Sequence, residues 1–207
     1  MTPLVIHTHP LSPYGWGARL ICAEKGVPHT LQPVWDASAP EHRKLHPFGK
    51  VPVLQHGEVI IYESLAIAHY VARAFEGPAL EPIDYLGQAH MLRWMSIVNG
   101  YCFPTMNGLI KERLADMIRG TPPDPAVLAA CRQAMGEQLA LIEEALSAHP
   151  FLVGEHLTLA DPFLLPHLHF AAQTPEGADA LAQAPATQAW LERMRARPSF
   201  AATSPSA

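Results

Sequence analysis

The chain has 207 residues, of which 49% are hydrophobic and 16% charged, with a formal net charge of −5 at pH 7. Such a composition can bury a sizeable core, which excludes overall disorder. The acidic balance argues against a nucleic-acid protein, since a phosphate backbone needs a basic face. Cys22, Cys102 and Cys131 lie far apart and form no CxxC. That spacing argues against a disulfide framework or zinc ribbon and points to a reducing compartment.

The N-terminus, Met1-Thr2-Pro3-Leu4-Val5-Ile6-His7, lacks a basic n-region and a long apolar run. No stretch approaches the roughly 20 apolar residues of a membrane span. The most apolar late segment, Phe163 to Ala172, is interrupted by Pro166, His167 and His169. The expectation is a soluble, cytoplasmic protein with no membrane partner.

Leu4-Val5-Ile6 reads as a buried strand. Gly15 to Lys25 suits a helix stopped by Gly26. Thr30 to Val34 reads as a second strand. Val51 to Gln55, the turn His56-Gly57, and Glu58 to Tyr62 read as a β-hairpin. From Ser64 the period is helical, with Leu65, Ala68, Ala72 and Phe75 on one stripe. The order β-α-β-α-β-β-α implies a mixed sheet with helices on its faces.

Beyond Gly77-Pro78 the pattern is helical. Tyr85 to Arg119 is long, and Gly100, Pro104 and Gly108 predict kinks. Gly120-Thr121-Pro122-Pro123-Asp124-Pro125 breaks it. Leu128, Cys131, Met135, Leu139, Ile142 and Leu146 then mark an amphipathic helix. Two more helices are expected near 160–170 and 186–196, and the Ala/Ser/Pro tail after Pro198 is expected to fray. The chain thus divides into an α/β domain over 1–78, a linker near 77–84 and an all-α domain over 84–200.

GxGxxG, Walker, GxSxG and HExxH motifs are absent. Four segments carry chemistry or capping. Ser12-Pro13, after the first strand, places a hydroxyl at a helix N-terminus; it either caps the helix or donates to a bound anion. In Gly49-Lys50-Val51-Pro52-Val53, a cis proline would turn the Val51 backbone outward to meet an extended peptide; an edge-strand proline is the alternative. Glu63-Ser64 opens a helix, either as a cap or as a clamp on an amino-acid headgroup, Glu63 meeting the ammonium and Ser64 the carboxylate. Thr158-Leu159-Ala160-Asp161 is similar to a capping box and is read as structural.

The twelve histidines include the pairs His7/His9, His42/His46 and His167/His169, with His42 and His46 placed on one helix. No third ligand can be assigned to any pair, so they read as scattered surface and core residues and no metal is expected.

In their order, Ser12-Pro13, Pro47-Phe48-Gly49-Lys50-Val51-Pro52-Val53-Leu54, Glu63-Ser64-Leu65-Ala66-Ile67 and Thr158-Leu159-Ala160-Asp161 resemble the soluble glutathione transferase family over nearly the whole chain. The resemblance is to its serine-type, bacterial-like members. It implies a thioredoxin-like α/β N-terminal domain followed by an all-α C-terminal domain, a cytoplasmic homodimer, and glutathione as co-substrate.

Carried over, Ser12 matches the active-site serine of classes similar to phi, tau, theta and zeta. Lys50 matches the residue meeting the glycine carboxylate, and Val51, before Pro52, pairs with the cysteinyl part. Glu63 and Ser64 match the pair holding the γ-glutamyl end. A more apolar site between the domains would take a small hydrophobic electrophile, with Tyr14, Tyr101, Phe103 and Met106 as candidates. The run from Ser12 to Gly17 departs from the zeta pattern, Ala37 stands where a phi-like basic residue is expected, and no cysteine lies near position 12. The expected activity is conjugation, or peroxidase or dehalogenase chemistry by the same thiolate; the alternatives are a glutathione-dependent isomerase and a non-catalytic binding module.

Overall fold

Five residues of alternating burial, Leu4–Thr8 (β1), form the centre of a four-stranded sheet in the computed structural model, which describes residues 3–205. The strand order is β2-β1-β3-β4, with His29–Pro33 as β2, Val53–His56 as β3 and Val59–Tyr62 as β4. β2 runs parallel to β1, β3 antiparallel to β1, and β4 antiparallel to β3. Leu4, Ile6 and Thr8 point into the core with Val53 and Leu54, all nearly inaccessible.

Helix α1, Pro13–Lys25, crosses between β1 and β2. Gly26 ends it at φ 75°, the left-handed geometry that favours glycine. Gly15 allows the helix to lie on β1, because a Cβ there would fall 1.9 Å from the Thr8 hydroxyl oxygen. Helix α2 is one turn, Pro40–Arg43, and α3 is Ser64–Ala74. The α3 core stripe is Ile67, Ala68, Val71 and Ala72. Leu65, expected on that stripe, is exposed, and Phe75 leaves the helix with extended backbone.

The chain divides into two compact units, one ending at Glu81 and regaining the residues from Ala196 onward, the other Pro82–Arg195. The helical unit contains α4, Tyr85–Ile97, then a π-helical turn, Val98–Cys102, then α5, Phe103–Arg119. The kink expected around Gly100 and Pro104 takes the form of this wide turn. Gly108 serves packing instead, since a Cβ on it would lie 3.2 Å from the Cys131 sulfur of the next helix. That helix, α6, Pro125–Ala148, buries Met135, Leu139, Ile142 and Leu146. Helices α7, Ala160–Ala171, α8, Pro175–Leu181, and α9, Pro185–Arg195, complete the unit. Among the described residues no helix is long and apolar enough to cross a membrane.

Through Thr203 the tail does not fray; Ser206 and Ala207 lie outside the described residues. Pro198–Thr203 forms α10, which packs on α1. The Trp16 indole donates to the Thr203 hydroxyl at 3.0 Å, and Phe200 meets Trp16 edge-on at 5.4 Å. The Arg197 guanidinium grips Glu24 through two nitrogens. Burial pushes the Glu24 carboxyl up, but Arg197 and Ser199 outweigh it and hold the group below the usual carboxylate range. These long-range partners have no trace in the tail's composition.

Helix α7 is buried along nearly its whole length. Its His167 meets Phe103 edge-on at 5.5 Å, and burial pushes the imidazole down to about 3. The unfolded chain binds a proton at this residue below roughly 6.5, whereas the folded chain binds none until far lower. The stability it contributes is therefore present above that value and lost as pH falls through about 3. His167→Leu is expected to flatten the fall of unfolding free energy between the two values by up to about 1.4 kcal/mol per pH unit. Urea unfolding across that range checks it; an unchanged slope contradicts it.

Candidate active site

Strand register brings three of the sequence-predicted segments to one end of the sheet. His7 pairs with Val53, and Val53 with Tyr62. The residues following β1, preceding β3 and following β4 therefore share an edge. They are Ser12, the Val51-Pro52 pair and Glu63-Ser64.

Ser12 is the N-cap of α1, with extended backbone, and its Oγ accepts from the Gly15 N–H at 3.1 Å. Pro13 in the first turn has no N–H to leave unsatisfied. The cap uses an oxygen lone pair, so the hydroxyl proton remains available to a ligand at the positive end of the helix. The Ser12 N–H donates to the His9 carbonyl at 2.9 Å, closing the turn. The His9 Nδ1 accepts from the Leu11 N–H at 3.2 Å, and its ring meets Trp35 edge-on at 5.3 Å. Trp35 is 75% exposed, a large apolar surface in this turn region that sequence patterning alone does not mark.

The Val51-Pro52 peptide is cis. Pro52 is buried, and among the described residues the Val51 N–H and C=O have no backbone partner. Lys50 is exposed beside it. Its carbonyl accepts from the buried His42 Nε2 at 2.6 Å, which fixes where the segment lies. His46, expected on the same helix as His42, falls beyond the single turn of α2 and is buried.

Glu63 has φ 72° and ψ 121°, the one non-glycine among the described residues in the positive-φ half of conformational space. Such a backbone costs on the order of 1–3 kcal/mol and persists where surroundings impose it, commonly at functional sites. Here it ends β4 and starts α3 within one residue. It leaves Ser64 as the first residue of α3, where the N–H groups of the opening turn have no helical acceptor.

Protein thiols are poorly placed for chemistry. Burial pushes Cys22 and Cys102 up to about 12, and Cys131 is also raised, first by burial and then by Glu112. Among the described residues no group of three or more His, Cys, Asp or Glu side chains is placed to hold a metal ion.

The apolar candidates separate. Tyr14 is half-buried in the first turn of α1. Tyr101 lies in the π-helical turn, 65% exposed, and Phe103 is half-buried beside His167. Met106 is wholly buried in α5.

Residues 11–74 match the family model for the glutathione S-transferase N-terminal domain, and residues 125–193 match that for the C-terminal domain. The chain is 30% identical to glutathione S-transferase 3 of Zea mays, over 98% of this chain and 94% of the relative. It is 32% identical to glutathione S-transferase F14 of Arabidopsis thaliana, over 91% of this chain and 79% of the relative. The chain belongs to the glutathione S-transferase family. The family's two-domain architecture, a thioredoxin-like α/β domain followed by an all-α domain, is the one described above.

Among solved structures, the theta-class glutathione S-transferase of Xanthomonas axonopodis pv. citri, solved with glutathione bound, superposes with TM-score 0.85 at 29% identity, covering 100% of this chain and 99% of that one. The matched transferases thus include both plant and bacterial members, and the bacterial-like reading is not singled out by them.

Proposed function

We propose that this chain is a serine-type glutathione transferase that binds the tripeptide along the shared edge of the sheet, with the sulfur at Ser12. The observation that supports this most is the convergence there of a capped helix N-terminus, the unpaired Val51 backbone and the strained Glu63-Ser64 turn. Each matches one part of an extended γ-Glu-Cys-Gly ligand. Glu63 holds the ammonium, while Ser64 and the opening N–H groups of α3 hold the α-carboxylate. Val51 pairs with the cysteinyl backbone as an added strand would. Lys50 meets the glycine carboxylate.

The bound thiol gives its proton to solvent, and the Ser12 hydroxyl donates to the resulting thiolate. The thiolate attacks an electrophilic carbon; a C–S bond forms and, with an aryl chloride, the C–Cl bond breaks and chloride leaves. Tyr14, Tyr101, Phe103 and Met106 remain the candidates for contact with a small hydrophobic electrophile. A cytoplasmic homodimer remains the expected working form.

Titration calorimetry with glutathione, joined to turnover of a chloronitrobenzene, tests the proposal. Binding with turnover is expected. Binding without turnover across a broad electrophile panel would make the chain a non-catalytic module, and no binding would remove the reading altogether. Lys50→Ala is expected to raise KM for glutathione about fivefold, the equivalent of about 1 kcal/mol for an exposed charged contact, with kcat within twofold. A drop confined to kcat would place Lys50 elsewhere in the mechanism.

A further inference from the structure

We propose that His46 is a positioning residue that ties the two ends of the tripeptide site together. This inference rests on the glutathione reading above and adds a residue that the reading does not use.

His46 is 2% exposed, although it sits in the loop between α2 and β3. Its backbone anchors that loop twice: its N–H donates to the His42 carbonyl, and its carbonyl accepts from the Gly49 N–H, each at 2.9 Å. The ring reaches in two directions. Nδ1 accepts from the Phe48 N–H at 3.3 Å. An accepting Nδ1 puts the proton of the neutral ring on Nε2. Nε2 lies 3.9 Å from the Glu63 Oε1. Glu63 is largely exposed, so a small rotation of its side chain closes this gap to a hydrogen bond. The Tyr62 ring packs on the imidazole with centroids 4.8 Å apart, holding the end of β4 against the loop. One side chain thus links the segment carrying Lys50 and Val51 to the turn carrying Glu63.

The chemistry favours a neutral ring. A neutral Nε2–H orients the Glu63 carboxylate without cancelling the charge that an incoming ammonium needs. A protonated ring would lose the acceptor for the Phe48 N–H and would compete with that ammonium. Of the groups facing His46, Glu63 favours protonation, whereas His42 and Lys50 oppose it and the Tyr62 ring packs on the imidazole. Burial is the largest influence and holds His46 below the ordinary histidine range.

The test is a coupling measurement. His46→Phe keeps an aromatic ring against Tyr62 but removes both nitrogens. It is expected to weaken glutathione binding about tenfold by calorimetry while kcat at saturating glutathione falls by less than threefold. His46→Gln, with an amide donor and acceptor, is expected to recover most of the affinity. In a Glu63→Gln background the further effect of His46→Phe is expected to shrink below twofold, because directly interacting residues are not additive. Unchanged affinity in His46→Phe, or a full tenfold loss on top of Glu63→Gln, would overturn the inference and leave His46 a packing residue. If the parent protein itself binds no glutathione, the functional reading fails first and this inference with it, an outcome distinct from additive variants of a binding parent. Should His46→Phe not fold, the imidazole nitrogen resonances of the parent decide: a change at the His46 Nε2 on adding glutathione is expected, and its absence overturns the proposal.

Discussion

Ser12→Ala is expected to lower kcat/KM for conjugation at pH 7 by about fivefold while glutathione affinity changes by less than threefold. The magnitude follows from the thiol's proton. A free thiol titrates near 8.5, and only the thiolate is the nucleophile. A helix N-terminus contributes about 0.3–1 kcal/mol, less than one pKa unit. A hydrogen bond to a charged acceptor contributes about 1.5–3 kcal/mol, of which a sulfur acceptor takes the low end, roughly one unit. Together they place the bound thiol near 7, with the hydroxyl as the larger contributor. Removing the hydroxyl returns most of the population to the thiol at neutral pH. The deficit should therefore shrink as pH rises past about 8.5, where both proteins carry thiolate. Steady-state rates from neutral to alkaline pH check this. Full activity in the variant would remove Ser12 from the mechanism and make Tyr14 the next candidate.

The largest effect on stability is expected at Asp161. Its carboxylate is wholly buried and accepts four hydrogen bonds: from the Leu152 N–H and the Trp190 indole at Oδ1, and from the Thr158 N–H and hydroxyl at Oδ2. It holds the start of α7, the turn at Leu152 and the side of α9 at one point. Burial pushes the carboxyl up to about 6, against the lowering effect of these four donors, so it remains mainly ionised at pH 7. Asp161→Ala strands three buried N–H donors, each a cost of about 1–3 kcal/mol. A loss of about 3–5 kcal/mol is expected, a large share of the typical 5–15 kcal/mol of a folded domain. Urea unfolding at pH 7 measures it; a loss below about 1 kcal/mol would mean that the donors find other partners. The titration of Asp161 is common to the parent and to His167→Leu, so their difference isolates the histidine.

Much of this architecture is legible in the sequence because local chemistry dictates it. The β1 run, the Gly26 helix stop, the hairpin around Gly57 and the α6 stripe need only period and turn residues. Thr158 and Asp161 are visible as a capping pair for the same reason. The Leu152 and Trp190 contacts of Asp161 are not, because they join residues distant in sequence. The segment Pro198–Thr203 shows the same limit: its Ala and Ser residues predict fraying, and only the distant Glu24 and Trp16 explain its helix. In the site, Ser12, Pro52 and Glu63-Ser64 stand out by residue type and place. His42 and His46 do not, since an imidazole four residues from another is equally a surface, core or positioning residue until its acceptors are known. Their location immediately around Pro47-Phe48-Gly49-Lys50 was the available signal.

Ultraviolet titration of the thiolate of glutathione bound to the parent protein and to Ser12→Ala tests the central claim most directly. The bound thiol is expected to titrate near 7 in the parent, and about one unit higher in the variant. The same titration point in both proteins would contradict it.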